Sequence, residues 1–136
     1  MQTAGDIVDG DASKQSPTIL VVEDDALVRR VVVEHLRDCG FLVIEAGTAD
    51  EAIRLLRTSK RVEIVFSDVQ MPGSLDGFAL AQWVRRERPG VKVILTSGAP
   101  RAVPVAGELC DAGPLMPKPY DPGELEHRIR TLVAAP

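Results

Sequence analysis

Cysteine, histidine and aromatic residues are all scarce in this chain of 136 residues: two Cys, two His, one Trp, one Tyr and three Phe. Cys39 and Cys110 are too few and too far apart for a zinc motif, and a disulfide framework is excluded on the same ground. No apolar run approaches the ~18 residues of a membrane span. The N-terminal MQTAGDIVDGDASKQSP lacks the basic-then-apolar pattern of a signal sequence. A cytoplasmic protein with no membrane partner is therefore expected. Positive charge is also thin. Arg85, Arg86 and Arg88 form the one basic group, which reads as a solvated helix face, and the net charge is −4 with a pI near 5.2. Duplex binding wants clustered Lys and Arg, so a nucleic-acid partner is not expected. Repeats and low-complexity blocks are missing as well. Residues 1–17, small, polar and acidic up to Pro17, are expected to be a flexible tail, and 18–136 a single domain.

What is present is organised around Val62–Gly77, VEIVFSDVQMPGSLDG. The run Val62–Phe66 reads as a strand buried on both faces, delivering Asp68 into a turn containing Pro72 and Gly73. In an open parallel α/β sheet, ligands bind just outside the carboxyl ends of strands. On this stretch alone, a turn-forming or N-capping role would explain Asp68 equally well.

The rest of the chain supplies four more apolar runs of the same kind. Strands are expected at Thr18–Val22, Phe41–Ile44, Val91–Leu95 and Leu115–Met116. Helices are expected from Asp25 to Gly40, from the capping-box pair Thr48/Glu51 to Arg57, and over Gly77–Arg88 before Pro89-Gly90. Prolines 100, 104 and 114 leave room for only a short or broken helix near Val103–Cys110. A last helix runs from the Asp121/Glu124 pair, with Pro122 at its first position, to about Val133. Strand and helix alternate five times, the pattern of a doubly wound parallel sheet covered on both faces.

Parallel strands send all their carboxyl ends to one edge. That edge then collects Glu23 and Asp24 after the first strand, Asp68 after the third, Thr96 after the fourth and Lys118 after the fifth. Three acids repel one another unless a positive group sits among them. Clustered carboxylates without Cys or His favour a hard cation such as Mg²⁺. A carboxylate can also attack phosphorus to give an aspartyl phosphate, with metal and lysine neutralising charge and the Thr96 hydroxyl meeting a phosphoryl oxygen. Singly, Lys118 reads as a surface lysine, Thr96 as a strand-end cap and Glu23–Asp25 as helix N-terminal acids. Their convergence from four segments favours the functional reading.

The segments ILVVEDD (Ile19–Asp25), VFSDVQMPG (Val65–Gly73), ILTSG (Ile94–Gly98) and PKPY (Pro117–Tyr120) resemble the response-regulator receiver domain of two-component signalling, over about Thr18–Val133. The resemblance implies a flavodoxin-like (βα)5 fold with strand order 2-1-3-4-5, its fourth helix short or irregular here. It implies Asp68 as phosphoacceptor, Asp24 as direct Mg²⁺ ligand with Glu23 beside it, and the Gln70 backbone carbonyl as a further ligand. Thr96 resembles the switch hydroxyl, Lys118 the lysine that pairs with the phosphoryl group, and Pro119 a residue often preceded by a cis bond. Asp25 falls just beyond the acidic pair, where the family often has a further polar residue, and the resemblance gives it no defined role. Two features depart from the pattern: Leu115 stands where a switch aromatic is usual, and MPGSLDG is one residue longer than the commonest loop. With the proline-rich segment, these resemble stand-alone receivers paired with HWE-type histidine kinases.

The function implied is Mg²⁺-dependent acceptance of a phosphoryl group from a histidine kinase or phosphotransfer protein, with self-phosphotransfer and autodephosphorylation. Output would pass to an unknown downstream protein, with no output domain after the last helix. The kinase is expected to dock on the first-helix face bearing Leu27 and Val31, while His35 and His127 read as ordinary surface residues. The alternatives are a receiver-like interaction module that takes no phosphate, and an Asp-nucleophile phosphatase. The phosphatase is disfavoured because Gln70 occupies the position where such enzymes place a second carboxylate.

Overall fold

A computed structural model of the chain describes residues 16–58, 61–99, 110–111 and 115–134. Five strands form one parallel sheet: β1 (Thr18–Val22), β2 (Leu42–Ala46), β3 (Val62–Asp68), β4 (Lys92–Ser97) and β5 (Met116–Pro117), in the order β2-β1-β3-β4-β5. Four described helices join them: α1 (Ala26–Asp38), α2 (Ala49–Thr58), α3 (Gly77–Glu87) and α4 (Pro122–Ala134). The expected helix near Val103–Cys110 falls outside the described residues except for Cys110, which is in no regular element. The expected tail likewise lies outside them, save Ser16 and Pro17. Among the described residues no helix is long and apolar enough to cross a membrane.

The sheet is covered on both faces because its strands are apolar at successive positions. Strand side chains alternate faces, so Leu20 and Val22 point one way while Ile19 and Val21 point the other. Leu20, Val22, Val65 and Leu95 pack with α2 and α3 through Ile53, Leu56, Leu80 and Val84. Ile19, Val21, Ile64, Phe66 and Ile94 pack with α1 and α4 through Val33, Leu36, Leu125 and Ile129. Burying each such side chain is worth about 1.5–3 kcal/mol, so the two layers fix the sheet and with it the positions of the strand ends.

Several boundaries differ from the sequence expectation by one or two residues, for reasons of hydrogen bonding. Phe41 is buried but lies outside β2, because its N–H closes the end of α1 on the Leu36 carbonyl at 3.1 Å. The Gly40 N–H bonds the Arg37 carbonyl at 3.0 Å and its φ is +97°, completing a Schellman cap that only glycine enters without strain. At the other edge, β3 runs two residues past Phe66, since Ser67 and Asp68 still pair with Leu95 and Thr96. Asp68 is therefore the last residue of its strand, not the first of the loop.

Candidate functional site

The carboxyl edge of the sheet gathers the acids. One ligand atom from each of Glu23, Asp24 and Asp68 lies within 4.8 Å of the others. Glu23 and Asp68 are 6% and 5% exposed, whereas Asp24 faces solvent. Buried carboxylates need partners, and each has them. The Lys118 ammonium is 2.7 Å from Asp68 Oδ2 and 3.4 Å from Glu23 Oε1. The Gln70 N–H donates to Asp68 Oδ1 at 3.2 Å, and the Asp25 N–H donates to Glu23 Oε2 at 3.0 Å. Burial pushes the Glu23 carboxyl above its ordinary range, against the pull of the Asp25 N–H and the Lys118 charge. Burial also works against the Lys118 charge, but hydrogen bonding and the charges of Asp68 and Glu23 prevail and hold the ammonium above its usual pKa.

Local structure aims these groups. β1 and β3 put Glu23 and Asp68 on neighbouring strand ends, because Val22 pairs with Ser67. β5 is only Met116–Pro117, and the Lys118 N–H bonds the Ser97 carbonyl at 2.9 Å, extending the alignment with β4 up to the lysine. The Lys118–Pro119 bond is cis, as the motif led us to expect. Asp25 has the simple role open to it: its Oδ1 accepts the Leu27 and Val28 N–H groups and caps α1.

Thr96 is opposite Asp68 in the ladder, but its hydroxyl donates to the Met116 carbonyl at 2.8 Å and is buried. Gln70 is exposed at the mouth, where its side-chain oxygen accepts from Ser97 Oγ at 2.7 Å. Leu115 is 2% exposed and packs in the layer that holds α2 and α3. The nearest aromatic beyond the lysine, Tyr120, lies on the opposite face with its ring edge-on to Phe66 at 5.6 Å. Burial, followed by the charges of Glu23 and Asp68, pushes the Tyr120 hydroxyl up to about 12.

Two supporting residues escaped the sequence reading. Arg29 donates to the Glu23 carbonyl at 2.7 Å and to Glu45 at 3.1 Å, anchoring the turn after β1 to β2. Nothing in the local spacing singles it out. Gly77, the first residue of α3, sits directly against the end of β3. A Cβ there would lie 2.7 Å from Val69 Cα and closer still to the Asp68 carbonyl oxygen. The Asp76-Gly77 pair, an N-cap followed by glycine, was the available signal.

Three carboxylate oxygens around one point, two of them buried and that of Asp24 exposed, with no sulfur or imidazole, match the donor set of a hard divalent cation. Beside the pocket, Val28, Val31, Val32, Lys118, Pro119, Tyr120 and Pro122 line an apolar groove of about 460 Å³. Val31 is exposed on its α1 side, and Leu27 of the same helix is exposed as well.

Known proteins share this fold. Residues 19–130 match the family described as response regulator receiver domain. The probable transcriptional regulator ycf27 of Porphyra purpurea is 35% identical over 127 residues, covering 88% of this chain and 48% of its own length. The transcriptional regulatory protein AruR of Pseudomonas aeruginosa is 33% identical, covering 86% of this chain and 49% of its own. The chain thus spans about half the length of the curated relatives it matches. Among solved structures, a response regulator receiver protein from Pseudomonas putida superimposes with a TM-score of 0.76 at 29% identity, covering 85% of this chain and 97% of that one. The response regulator TrrA of Thermotoga maritima, solved in complex with Mg²⁺-BeF, gives a TM-score of 0.77 at 24% identity, with 85% and 98% covered.

Proposed function

The chain belongs to the response regulator receiver family, and on that footing we propose that it accepts a phosphoryl group on Asp68 from a phosphohistidine of a kinase or phosphotransfer protein. The observation that carries this reading is the convergence of Glu23, Asp24 and Asp68 within 4.8 Å, with Lys118 2.7 Å from Asp68. In the transfer, an Asp68 carboxylate oxygen forms a bond to phosphorus as the P–N bond to imidazole breaks. The electron pair leaves on the ring nitrogen. Lys118, already against Asp68, pairs with the oxygens of the arriving group, and its raised pKa keeps it charged.

Mg²⁺ fits the acidic pocket, and Glu23, Asp24, Asp68 and the Gln70 carbonyl would hold it. When bound, it neutralises phosphoryl oxygen charge. That TrrA was solved with Mg²⁺-BeF supports the assignment by analogy of fold. Thr96 must turn its hydroxyl from the Met116 carbonyl to meet a phosphoryl oxygen. That exchange loosens a tie between β4 and β5 and gives the domain a way to report occupancy. The apolar groove between α1 and the 118–122 segment opens beside Lys118, so a donor helix seated there brings its phosphohistidine to Asp68. The readout is proposed to be protein–protein. At net charge −4 the domain itself is not proposed to meet nucleic acid.

Intact mass after incubation with acetyl phosphate and Mg²⁺ tests the proposal. A single phosphoryl adduct is expected, absent in Asp68→Ala and absent with a chelator. Lack of an adduct, together with no beryllofluoride-induced change in the Thr96 amide signal, would refute it and leave an interaction module that takes no phosphate.

A further inference from the structure

The last turn of α1 and the side of α4 bring together three groups that the phosphoryl chemistry does not use. His35 and Cys39 stand four residues apart, on one face of the helix end, and Glu126 reaches across from α4. Cys39 Sγ is 3.7 Å from His35 Nε2, and His35 Nε2 is 3.9 Å from Glu126 Oε1, with all three atoms within 4.8 Å of one another. All three residues are half-buried.

The His35–Glu126 separation is long for a hydrogen bond, while Cys39 hydrogen-bonds both His35 Nε2 and Glu126, and the same grouping of donors suits a shared ion. An N–H···O bond needs about 2.7–3.2 Å, which the His35–Glu126 pair does not meet. A tetrahedral zinc with bonds of roughly 2.0–2.3 Å places neighbouring ligand atoms about 3.3–3.7 Å apart. The His35–Cys39 pair already has this spacing, and the His35–Glu126 pair needs to close by about half an ångström. The surroundings already orient them. Arg130 Nε donates to the other Glu126 oxygen, Oε2, at 3.0 Å, leaving Oε1 toward His35. The same guanidinium donates to the Cys39 carbonyl at 3.0 Å and lies 4.8 Å over the Phe41 ring, so it is held in place. The site also sits at a helix C-terminus, where the backbone dipole favours a cation.

We propose that His35, Cys39 and Glu126 form a binding site for a borderline-soft divalent cation, Zn²⁺ in kind, tying α1 to α4. An imidazole, a thiolate and one carboxylate select such an ion over Mg²⁺, which takes oxygen ligands. The fourth position is open to water. The site belongs to the C-terminal end of α1, whereas the acidic pocket lies where α1 begins. The ion therefore pins the two helices that flank the apolar groove without entering the phosphoryl site.

Cobalt titration of the reduced, full chain in excess Mg²⁺ tests this, since Mg²⁺ occupies the all-oxygen pocket. A thiolate-to-cobalt charge-transfer band is expected, saturating at one ion per chain and displaced by Zn²⁺. Cys39→Ser should abolish the band, Cys110→Ser should keep it, and His35→Ala or Glu126→Gln should weaken binding by at least about tenfold. Each variant should still take the acetyl phosphate adduct, which establishes that it is folded. No band in the wild-type chain, a band that survives Cys39→Ser, or one ion per two chains with dimerisation would overturn the proposal.

Discussion

Gly77→Ala tests whether the end of β3 is held where it is by contact with the first residue of α3. The added Cβ would lie 2.7 Å from Val69 Cα and nearer still to the Asp68 carbonyl oxygen, while the Gly77 N–H is bonded to the Val69 carbonyl at 2.9 Å. Carbon atoms rest about 3.5–4.0 Å apart, so α3 must retreat from β3 by roughly 1 Å. Both obstructing groups are backbone, so a side-chain rotation cannot relieve the overlap. Overpacking of this kind costs about 1–3 kcal/mol. Displacing a reacting group by about 1 Å costs on the order of 10²-fold in rate. The expected result is a lower urea midpoint together with a large fall in the initial rate of phosphorylation by acetyl phosphate. Gly90→Ala, where a Cβ meets nothing within 4 Å, should leave both unchanged or raise stability slightly. If Gly77→Ala is stabilising and fully active, the close approach of α3 to the acidic turn is wrong.

Tyr120 is the single tyrosine, so its ionisation can be followed by absorbance alone. The folded chain should titrate near pH 12, and the urea-unfolded chain near 10.0. Because the folded state holds this proton more tightly, stability should fall as pH rises from 10 towards 12; equal midpoints would refute the burial and charge argument. Thr96→Val leaves the Met116 carbonyl without its buried donor and should destabilise by about 1–3 kcal/mol. An unchanged urea midpoint would show that this bond does not hold β5. Lys118→Met removes the cation between Asp68 and Glu23. With the ammonium side chain 30% exposed, the loss in chelator should be below the roughly 3–5 kcal/mol of a fully buried pair. Mg²⁺ should then raise the melting temperature of the variant more than that of wild type, and equal shifts would sink the electrostatic account.

The architecture was legible because its signals are local and repeated. Five apolar runs separated by helical periodicity and turn residues require a covered parallel sheet, and parallel strands require a common edge. That edge predicts the meeting of Glu23, Asp24, Asp68 and Lys118 before any distance is known. What the sequence could not supply were features set by partners distant in the chain. Nothing near Arg29 indicates that it will brace the Glu23 carbonyl. The capping-box pattern was only partly realised: Glu51 N–H bonds Thr48 Oγ1, yet the Glu51 carboxylate reaches back to Gly47 rather than Thr48. At Asp121, the side chain caps Gly123 while Glu124 is drawn to Arg128. His35 looked ordinary because its neighbour Glu126 is 91 residues away in sequence, and proximity arises only when α4 folds back against α1.

On the proposed function, the charge balance at the sheet edge would suit this pocket to cycling rather than to permanent ion pairing. Three carboxylates face a single ammonium, which leaves two negative charges for a divalent cation to neutralise. Burial, with a smaller contribution from the Asp68 charge, holds the Glu23 carboxyl above its ordinary range. On the proposed chemistry, conversion of Asp68 to its acyl phosphate replaces one carboxylate charge by a group carrying about two at neutral pH. The pocket would become more negative, and a neutral donor opposite Asp68 in the ladder is the Thr96 hydroxyl. It is engaged by a bond to the β5 carbonyl worth about 0.5–1.5 kcal/mol net, little enough for a charged acceptor to win. β5 has only two residues to absorb the change, and its next residue is Lys118. The tie that phosphorylation would break therefore belongs to the strand that leads directly into the lysine and the rim of the apolar groove.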